Sequence, residues 1–350
     1  MRAANGLGKQ TVRARFESAL TGRPVSEPIF AVYDWFVQNR PQVNWSRLFD
    51  LGLGQINHAT LVRHERPNVR IVETTSQDAR GRTRRDVRWI TDIGELHEWH
   101  LGEWRQEYLI KTPQDYRIMA RALSDATVSA DPEALRRSES EVGASGITLG
   151  CTFLRRTAFQ AIQIDLAGLE QFSVDLALKR PELFELIEVM NDLTYREFTA
   201  MARTPARHLK LWENLTIETM GPKLFGMHLV PVYRRIFDIL SRSGQRLCVH
   251  YDGKLRLIAE EIRPLPFDID SFTPPPEGDM TAAEARRAWP EKFLWLHPPL
   301  GWYDLPSAEL VTNIRDMVRG AGPLRFCLMI SEDVPTNWDR AVPLILEHLR

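Results

Sequence analysis

Three short segments of this chain begin with apolar residues and end on side chains that could do chemistry. They are residues 209–213, 247–252 and 326–331. Each has the pattern of a buried strand with a polar residue near its C-terminal end. In a barrel of parallel strands these ends meet on one face, where barrel enzymes place their chemistry. Their side chains include four of the types that bind zinc: Glu213, His250, Asp252 and Cys327. The sequence therefore predicts a metal-dependent site at one end of a barrel.

The second half of the chain alternates between short apolar runs and helical patterns. Predicted helices cover residues 168–179, 181–203, 223–242, 254–261, 281–288, 308–319 and 338–349, and predicted strands cover 209–213, 246–251, 267–270, 293–297 and 325–330. Repeated alternation with short connections favours an α/β fold, the closed (β/α)8 TIM barrel, over an open doubly wound sheet. No glycine-rich phosphate motif follows a strand, which argues against a dinucleotide site.

The first part of the chain has a different pattern. Residues 11–20 have helical periodicity, and residues 28–33 resemble a first strand. Between about 56 and 110 the sequence is β-rich, with two runs flanking a turn at Gly81 that predict a hairpin. We therefore predict one barrel domain over residues 1–350, with an N-terminal β-rich elaboration at about 56–110.

Composition excludes several classes of protein. The 350 residues include 45 basic and 46 acidic ones, so the net charge of −1 gives no reason to expect a nucleic-acid or membrane partner. No apolar stretch approaches the roughly 18 residues of a membrane helix. Residues 1–10 lack the apolar core of a signal peptide. Three scattered cysteines are too few for a disulfide framework, and we expect a cytoplasmic protein with reduced thiols.

Several motifs together resemble the uroporphyrinogen decarboxylase superfamily and, within it, the zinc-dependent methyltransferases that exchange methyl groups with corrinoid proteins. Residues 13–24 are similar to the opening helix of that family and its Gly-x-Pro ending, and residues 92–96 to a segment of its β elaboration. The most specific similarity covers residues 221–236. The segments 249–253 and 326–337 resemble the His-x-Cys-Gly motif and the final strand with its cysteine and Pro-x-x-Asn. The resemblance spans nearly the whole chain.

The resemblance implies a zinc site whose ligands include His250 and Cys327. The third ligand is open between Asp252, two residues after His250, and Glu213 on an earlier strand. Asp252 stands where thiol-methylating members have cysteine, which leaves the set one thiolate short. The segment 34–41 has a single arginine, Arg40, where the decarboxylases grip several substrate carboxylates. Decarboxylation of a porphyrinogen is therefore not expected, because unpaired buried carboxylates are costly.

A zinc with one thiolate and a carboxylate is suited to polarising an ether or hydroxyl oxygen. The expected function is thus methyl transfer between a small substrate, such as a methoxylated aromatic or an ether, and a corrinoid carried by a partner protein. The chain has no cobalamin-binding motif of its own, and the resemblance suggests a homodimer. Two alternatives stay open: a metal-free decarboxylase acting on a smaller substrate, and a barrel that binds a tetrapyrrole, a corrinoid or a protein without turnover.

Further side chains are candidates for the same site. His297 follows an apolar run and is predicted to act as an acid or hydrogen-bond donor. Asp270 resembles the strand-end aspartate that orients the pocket in family members. Three aromatic residues, Trp212, Tyr251 and Trp302, are candidates for stacking on an aromatic substrate.

Overall fold

The structure is a computed structural model that describes residues 10–331 and 333–349. Residues 1–9, which carry most of the segment judged not to be a signal peptide, lie outside the described residues. The strands are β1 (Phe30–Tyr33), β2 (Gly54–Thr60), β3 (Val62–Glu65), β4 (Arg70–Gln77), β5 (Thr83–Thr91), β6 (Gly94–Leu101), β7 (Trp104–Glu107), β8 (Thr127–Ala130), β9 (Gly146–Cys151), β10 (His208–Leu215), β11 (Arg246–Tyr251), β12 (Asp268–Phe272), β13 (Leu294–Leu296) and β14 (Phe326–Met329).

Most helices predicted in the second half of the chain are present with small shifts at their ends. Two differ: the predicted helix 223–242 is interrupted by a π-helical turn at Phe225–Leu229, and the predicted helix 254–261 is reduced to a 3-10 turn at Arg256–Ile258 and the short helix Ala259–Ile262. The helices are α1 (Val12–Leu20), α2 (Asp34–Asn39), α3 (Trp45–Asp50), α4 (Pro113–Ser124), α5 (Pro132–Val142), α6 (Ala158–Ala161), α7 (Leu169–Ala177), α8 (Pro181–Met201), α9 (Ile217–Leu224), α10 (Val230–Leu240), α11 (Ala259–Ile262), α12 (Ala282–Ala288), α13 (Ser307–Ala321) and α14 (Trp338–Leu349). Two π-helical turns, Ile162–Leu166 and Phe225–Leu229, interrupt this helical layer. Within the described residues, no helix combines the length and apolar character needed to cross a membrane.

Eight parallel strands close into a barrel, which confirms the predicted (β/α)8 fold. Their order around the barrel is β1, β2, β9, β10, β11, β12, β13 and β14, and the last strand pairs with the first. Strands β1, β9 and β12 are buried along their whole length. That burial is expected of a parallel sheet covered by helices outside and filled by side chains inside.

The β-rich elaboration lies between the second and third barrel strands. It consists of the antiparallel pair β3–β8 and the antiparallel sheet β4–β5–β6–β7. The predicted hairpin around Gly81 is present as β4 and β5. The elaboration begins later and ends later than 56–110, because residues 54–60 form barrel strand β2 and the insertion runs on to β8. Polar residues at 55, 57, 58 and 60 gave β2 the pattern of an exposed strand.

Barrel closure between β2 and β9 depends on the absence of a side chain at Gly146. This residue pairs with Gln55, and a methyl group at position 146 would overlap the Gln55 carbonyl oxygen. We predict that Gly146→Ala destabilises the fold by about 1–3 kcal/mol, the range for overpacked cores. The measurement is urea unfolding, with Gly226→Ala as control because a methyl group there meets open space. Equal stability of the two variants would contradict the prediction.

Candidate active site

Five side chains from different strands meet at the C-terminal mouth of the barrel. We call them the mouth cluster: Tyr33, Lys210, His250, Asp270 and His297. Each is at most 5% exposed to solvent. Four lie within barrel strands, and His297 directly follows β13. The strand ends thus bring together residues that are up to 264 positions apart in the sequence.

The Asp270 carboxylate lies at the centre of the mouth cluster. One oxygen, Oδ2, is 2.6 Å from Lys210 Nζ and 2.8 Å from His250 Nδ1. The other oxygen, Oδ1, accepts a 2.5 Å hydrogen bond from the Tyr33 hydroxyl, which in turn lies 3.2 Å from His297 Nε2. Burial raises the pKa of Asp270, but Lys210 and His250 outweigh it and hold this pKa well below its usual range. Asp270 is therefore a fixed negative charge.

Lys210 neutralises part of that charge from beneath the mouth. Its ammonium lies 3.6 Å from the centre of the Trp212 ring and 4.1 Å from that of Tyr33, so both rings contribute cation–π attraction. The side chain is fully buried. Sequence analysis did not single out Lys210. A lysine inside the apolar run of β10 was nevertheless a usable signal, since a buried ammonium requires a buried partner.

His250 is held between two carboxylates. Its Nδ1 faces Asp270, and its Nε2 lies 3.1 Å from Asp252 Oδ1. Ionised carboxylates only accept hydrogen bonds, so both ring nitrogens carry protons and the ring is an imidazolium. Burial and the charge of Lys210 lower the pKa of His250, but Asp270 and Asp252 outweigh them and raise this pKa to about 9. His250 therefore bears a positive charge at neutral pH.

A second histidine, His58 on β2, has the opposite character. Its Nδ1 lies 2.7 Å from Asp34 Oδ1, and its backbone amide donates to the same carboxylate. Burial is the main cause that lowers the pKa of His58 to about 4, and Lys210 adds to it. The ring is neutral, with its proton on Nδ1. Its Nε2 is buried and has no hydrogen-bond partner among the described residues. Sequence analysis missed His58 because it assigned residue 58 to the elaboration.

A cavity of about 180 Å3 opens beside the mouth cluster. Its walls are Tyr33, Trp35, Phe36, Trp212, Asn214, His250, His297 and Ser331. Trp212 and His297 line the cavity, and their roles in stacking and proton donation stay predictions; Asp270 lies beneath the cavity. Tyr251 does not line the cavity, because its ring packs outside the barrel strands, 5.9 Å from Phe267 and 6.4 Å from Phe225. Trp302 lies in a turn after β13 and is not part of the cavity wall.

Glu213 does not join His250, which corrects its prediction as a zinc ligand. Its carboxylate accepts hydrogen bonds from the Thr157 amide and hydroxyl, at 3.3 and 3.0 Å, on the helical side of β10. Side chains alternate between the two faces of a strand: Lys210 and Trp212, at even positions, face the mouth, so Glu213 at the odd position between Trp212 and Asn214 faces away. Burial raises the pKa of Glu213 to about 7.

The remaining predicted ligands also do not form a zinc site in this structure. Both nitrogens of His250 are occupied by carboxylates, whereas zinc needs an unprotonated ring nitrogen. Cys327 is fully buried, and burial, with Asp270 and Cys248 nearby, raises the pKa of its thiol well above the usual value. Asp252 is the partner of His250 and of Ser271. Over residues 10–331 and 333–349, no three His, Cys, Asp or Glu side chains are placed to hold a metal ion. The donor set as arranged does not fit zinc.

Comparison with known proteins adds little to this geometry. No protein-family model matches the chain, and no curated protein matches it. Among solved structures, one that matches contains the tandem GH20 catalytic modules of the pneumococcal exo-beta-D-N-acetylglucosaminidase StrH. The two share 8% sequence identity over 96% of this chain and 85% of that chain, with a TM-score of 0.40. A likeness of this size carries no argument about the site.

Removing the Lys210 ammonium should leave the Asp270 charge poorly compensated. We predict that Lys210→Met destabilises the protein by about 3–5 kcal/mol, the usual cost of breaking a buried ion pair. Urea unfolding measures the loss. Lys254→Met is the matched control, because Lys254 pairs with Glu218 at the surface and should change stability by less than about 1 kcal/mol. A double variant, Lys210→Met with Asp270→Asn, should recover part of the loss; no recovery would contradict the ion-pair explanation.

The two histidines should give stability opposite dependences on pH. Because the pKa of His250 is raised on folding, this residue contributes stability that is fully present below its unfolded pKa of about 6.5. That stability is lost as the pH rises through about 9. The lowered pKa of His58 has the reverse effect, so stability falls as pH drops from about 6.5 to 4. Each contribution is at most about 3 kcal/mol.

Unfolding free energies measured across pH for the wild type, His250→Gln and His58→Gln test this. His250→Gln should flatten only the alkaline limb, and His58→Gln only the acidic limb. An NMR titration midpoint of His250 near pH 6.5 would contradict the prediction.

Proposed function

We propose that this protein is an enzyme that transfers a proton from His250 to a small substrate in the mouth cavity, and that its reaction is a decarboxylation. One observation carries the proposal: a buried imidazolium, held by Asp270 and Asp252, forms part of the wall of an aromatic cavity. Such a group is a general acid placed where a substrate can reach it. The resemblance to a superfamily that contains decarboxylases agrees with this choice.

The cavity suggests the class of substrate. About 180 Å3 accommodates one substituted ring, and Tyr33, Trp35 and Trp212 provide faces for stacking. The positive charge of His250 attracts a carboxylate. The adjacent negative charge of Asp252 disfavours that carboxylate relative to neutral carbon dioxide, so this interaction is relieved as the reaction proceeds. We therefore propose a small aromatic or unsaturated carboxylic acid as substrate.

The residues of this chain supply the proton that the reaction consumes. The bond between the substrate carbon and its carboxyl group breaks, and the electron pair stays on the substrate carbon. That carbon takes the proton from His250 Nε2, which gives up its hydrogen bond to Asp252, and carbon dioxide leaves. Asp252 is about one-third exposed, so the neutral His250 regains its proton from solvent on that side. Asp270 and Tyr33 hold the ring in place through Nδ1 and the hydrogen bond between them.

Zinc-dependent methyl transfer to a corrinoid protein stays an alternative proposal. The resemblance supports it, and so does an aromatic cavity suited to a methoxylated ring. It would require the ligands to rearrange, since His250 and Asp252 now bind each other and Cys327 is buried. A barrel that binds without turnover would keep the cavity and its cluster and show neither reaction.

Carbon dioxide release from a panel of aromatic and unsaturated acids tests the proposal. Turnover should persist in a chelator, and in D2O the product should carry deuterium at the carbon that lost its carboxyl group. His250→Gln should lower kcat about 100-fold or more, the size expected for loss of a general acid. Because His250 acts in its protonated form, kcat should fall as pH rises through about 9. His348→Gln, on α14, is the control.

Two results would overturn decarboxylation. Activity that appears only with added zinc, together with methyl transfer to reduced cobalamin, would favour the alternative. Unchanged turnover in His250→Gln would remove the proposed acid.

A further inference from the structure

A second and larger cavity lies in the helical layer, outside the barrel strands. Its volume is about 580 Å3. It lies between the segment that follows β9 and the segment that follows β10. Its walls are largely apolar, and we call it the side groove: Gln163, Phe172, Leu176, Phe184, Leu224 and Met227. None of these residues takes part in the chemistry proposed for the mouth.

Gln163 is the unusual member of the side groove. It is 5% exposed, and its carbonyl oxygen accepts no hydrogen bond from any residue in the described ranges. A buried amide oxygen without a hydrogen-bond partner costs about 1–3 kcal/mol. A leucine at this position would avoid that cost. The amide is therefore placed to meet a polar group of something that enters the side groove.

Two π-helical turns contribute residues to the wall of the side groove. Gln163 lies in the turn Ile162–Leu166, and Met227 lies in the turn Phe225–Leu229. Such turns are rare and often occur at functional sites. Met227 is 54% exposed, and the neighbouring His228 ring stacks on Phe159 at 4.6 Å. The two turns thus present the Gln163 amide, the Met227 thioether and the His228 imidazole to one space.

Two lysines supply positive charge to the side groove. Lys179 and Lys223 both contribute to its wall and are exposed. Neither forms an ion pair with a carboxylate in the part of the chain that the structure describes, whereas most of its other lysines do. Apolar walls with exposed ammonium groups match a molecule with an apolar body and an anionic head.

We infer that the side groove binds a small amphiphile whose apolar body fills the cavity, whose anionic head pairs with Lys179 and Lys223, and whose far end carries a polar group for Gln163. A second copy of this chain would be an occupant of another kind. Two features favour the small molecule over a second copy of the chain. The Gln163 amide lies within the cavity, and both lysines interrupt the exposed apolar surface around it.

Calorimetric titration of the full chain tests the inference with three probes: decanoate, ω-hydroxydecanoate and decanol. Decanoate should bind once per chain. The double variant Lys179→Gln with Lys223→Gln should bind it at least about tenfold more weakly. The matched control is Arg315→Gln with Arg319→Gln, which removes the same charge from α13 and should bind decanoate as the wild type does. Decanol should bind more weakly than decanoate.

Two further variants test how the side groove binds the apolar body of the amphiphile and the polar group at its far end. Ala177→Trp, at an exposed position of the groove wall, should block all three probes while the protein stays folded. The ω-hydroxy probe should bind more tightly than decanoate to the wild type, and Gln163→Leu should abolish that difference.

Equal binding by the lysine variant and its arginine control would overturn the inference, as would equal binding of decanol and decanoate. So would the absence of binding. Sedimentation that shows a dimer, dissociated by Ala177→Trp and insensitive to decanoate, would assign the side groove to an interface between copies instead. None of these measurements depends on turnover at the mouth, so they fail or succeed independently of the proposed decarboxylation.

Discussion

The buried Asp270 carboxylate is the interaction centre that holds the mouth cluster together. Because this carboxylate is buried, water does not solvate its charge. A lysine, a histidine and a tyrosine from three other strands surround it instead. Each partner is in turn fixed by it: Lys210 stays fully buried because its counter-charge is 2.6 Å away, and His250 keeps its second proton. Barrel closure makes this arrangement available, because it turns distant strand ends into neighbours. The chemistry of the site and the stability of the mouth therefore rest on the same interaction.

Around this centre two histidines are driven to opposite protonation states. Two carboxylates hold His250 as a cation, while burial keeps His58 neutral although Asp34 is bound to it. The Trp212 ring lies between them, 4.7 Å from His58 and 5.3 Å from His250. Paired groups whose environments separate their pKa values are typical of acid–base sites. The count of carboxylates around each ring, rather than the identity of the ring, decides which one can donate a proton.

Sequence analysis predicted the barrel because helix and strand periods alternate regularly after residue 145. For the same reason it predicted which strands carry polar or ionisable side chains at their C-terminal ends. It could not assign the face of each side chain on β10, where apolar residues occupy both faces and strand pairing shifts between Leu211 and Leu215. Hence Glu213 was placed with His250 although it contacts Thr157. Likewise His58 was missed because β2 is rich in polar residues. The missing information is long-range: only pairing around the closed barrel shows which side chains share its interior.

The same carboxylates that suit His250 to proton transfer work against its use as a zinc ligand. Zinc binding requires the imidazole to lose a proton, and a pKa of about 9 makes that loss unfavourable by about 3 kcal/mol at neutral pH. Asp252 would also have to exchange a charge-assisted hydrogen bond for the metal. A thiolate at Cys327 would add a further buried negative charge near Asp270, which raises the pKa of that thiol still more. Metal binding at this mouth therefore competes with three electrostatic interactions at once, whereas proton donation from His250 disturbs only the first two, and only until the ring is protonated again.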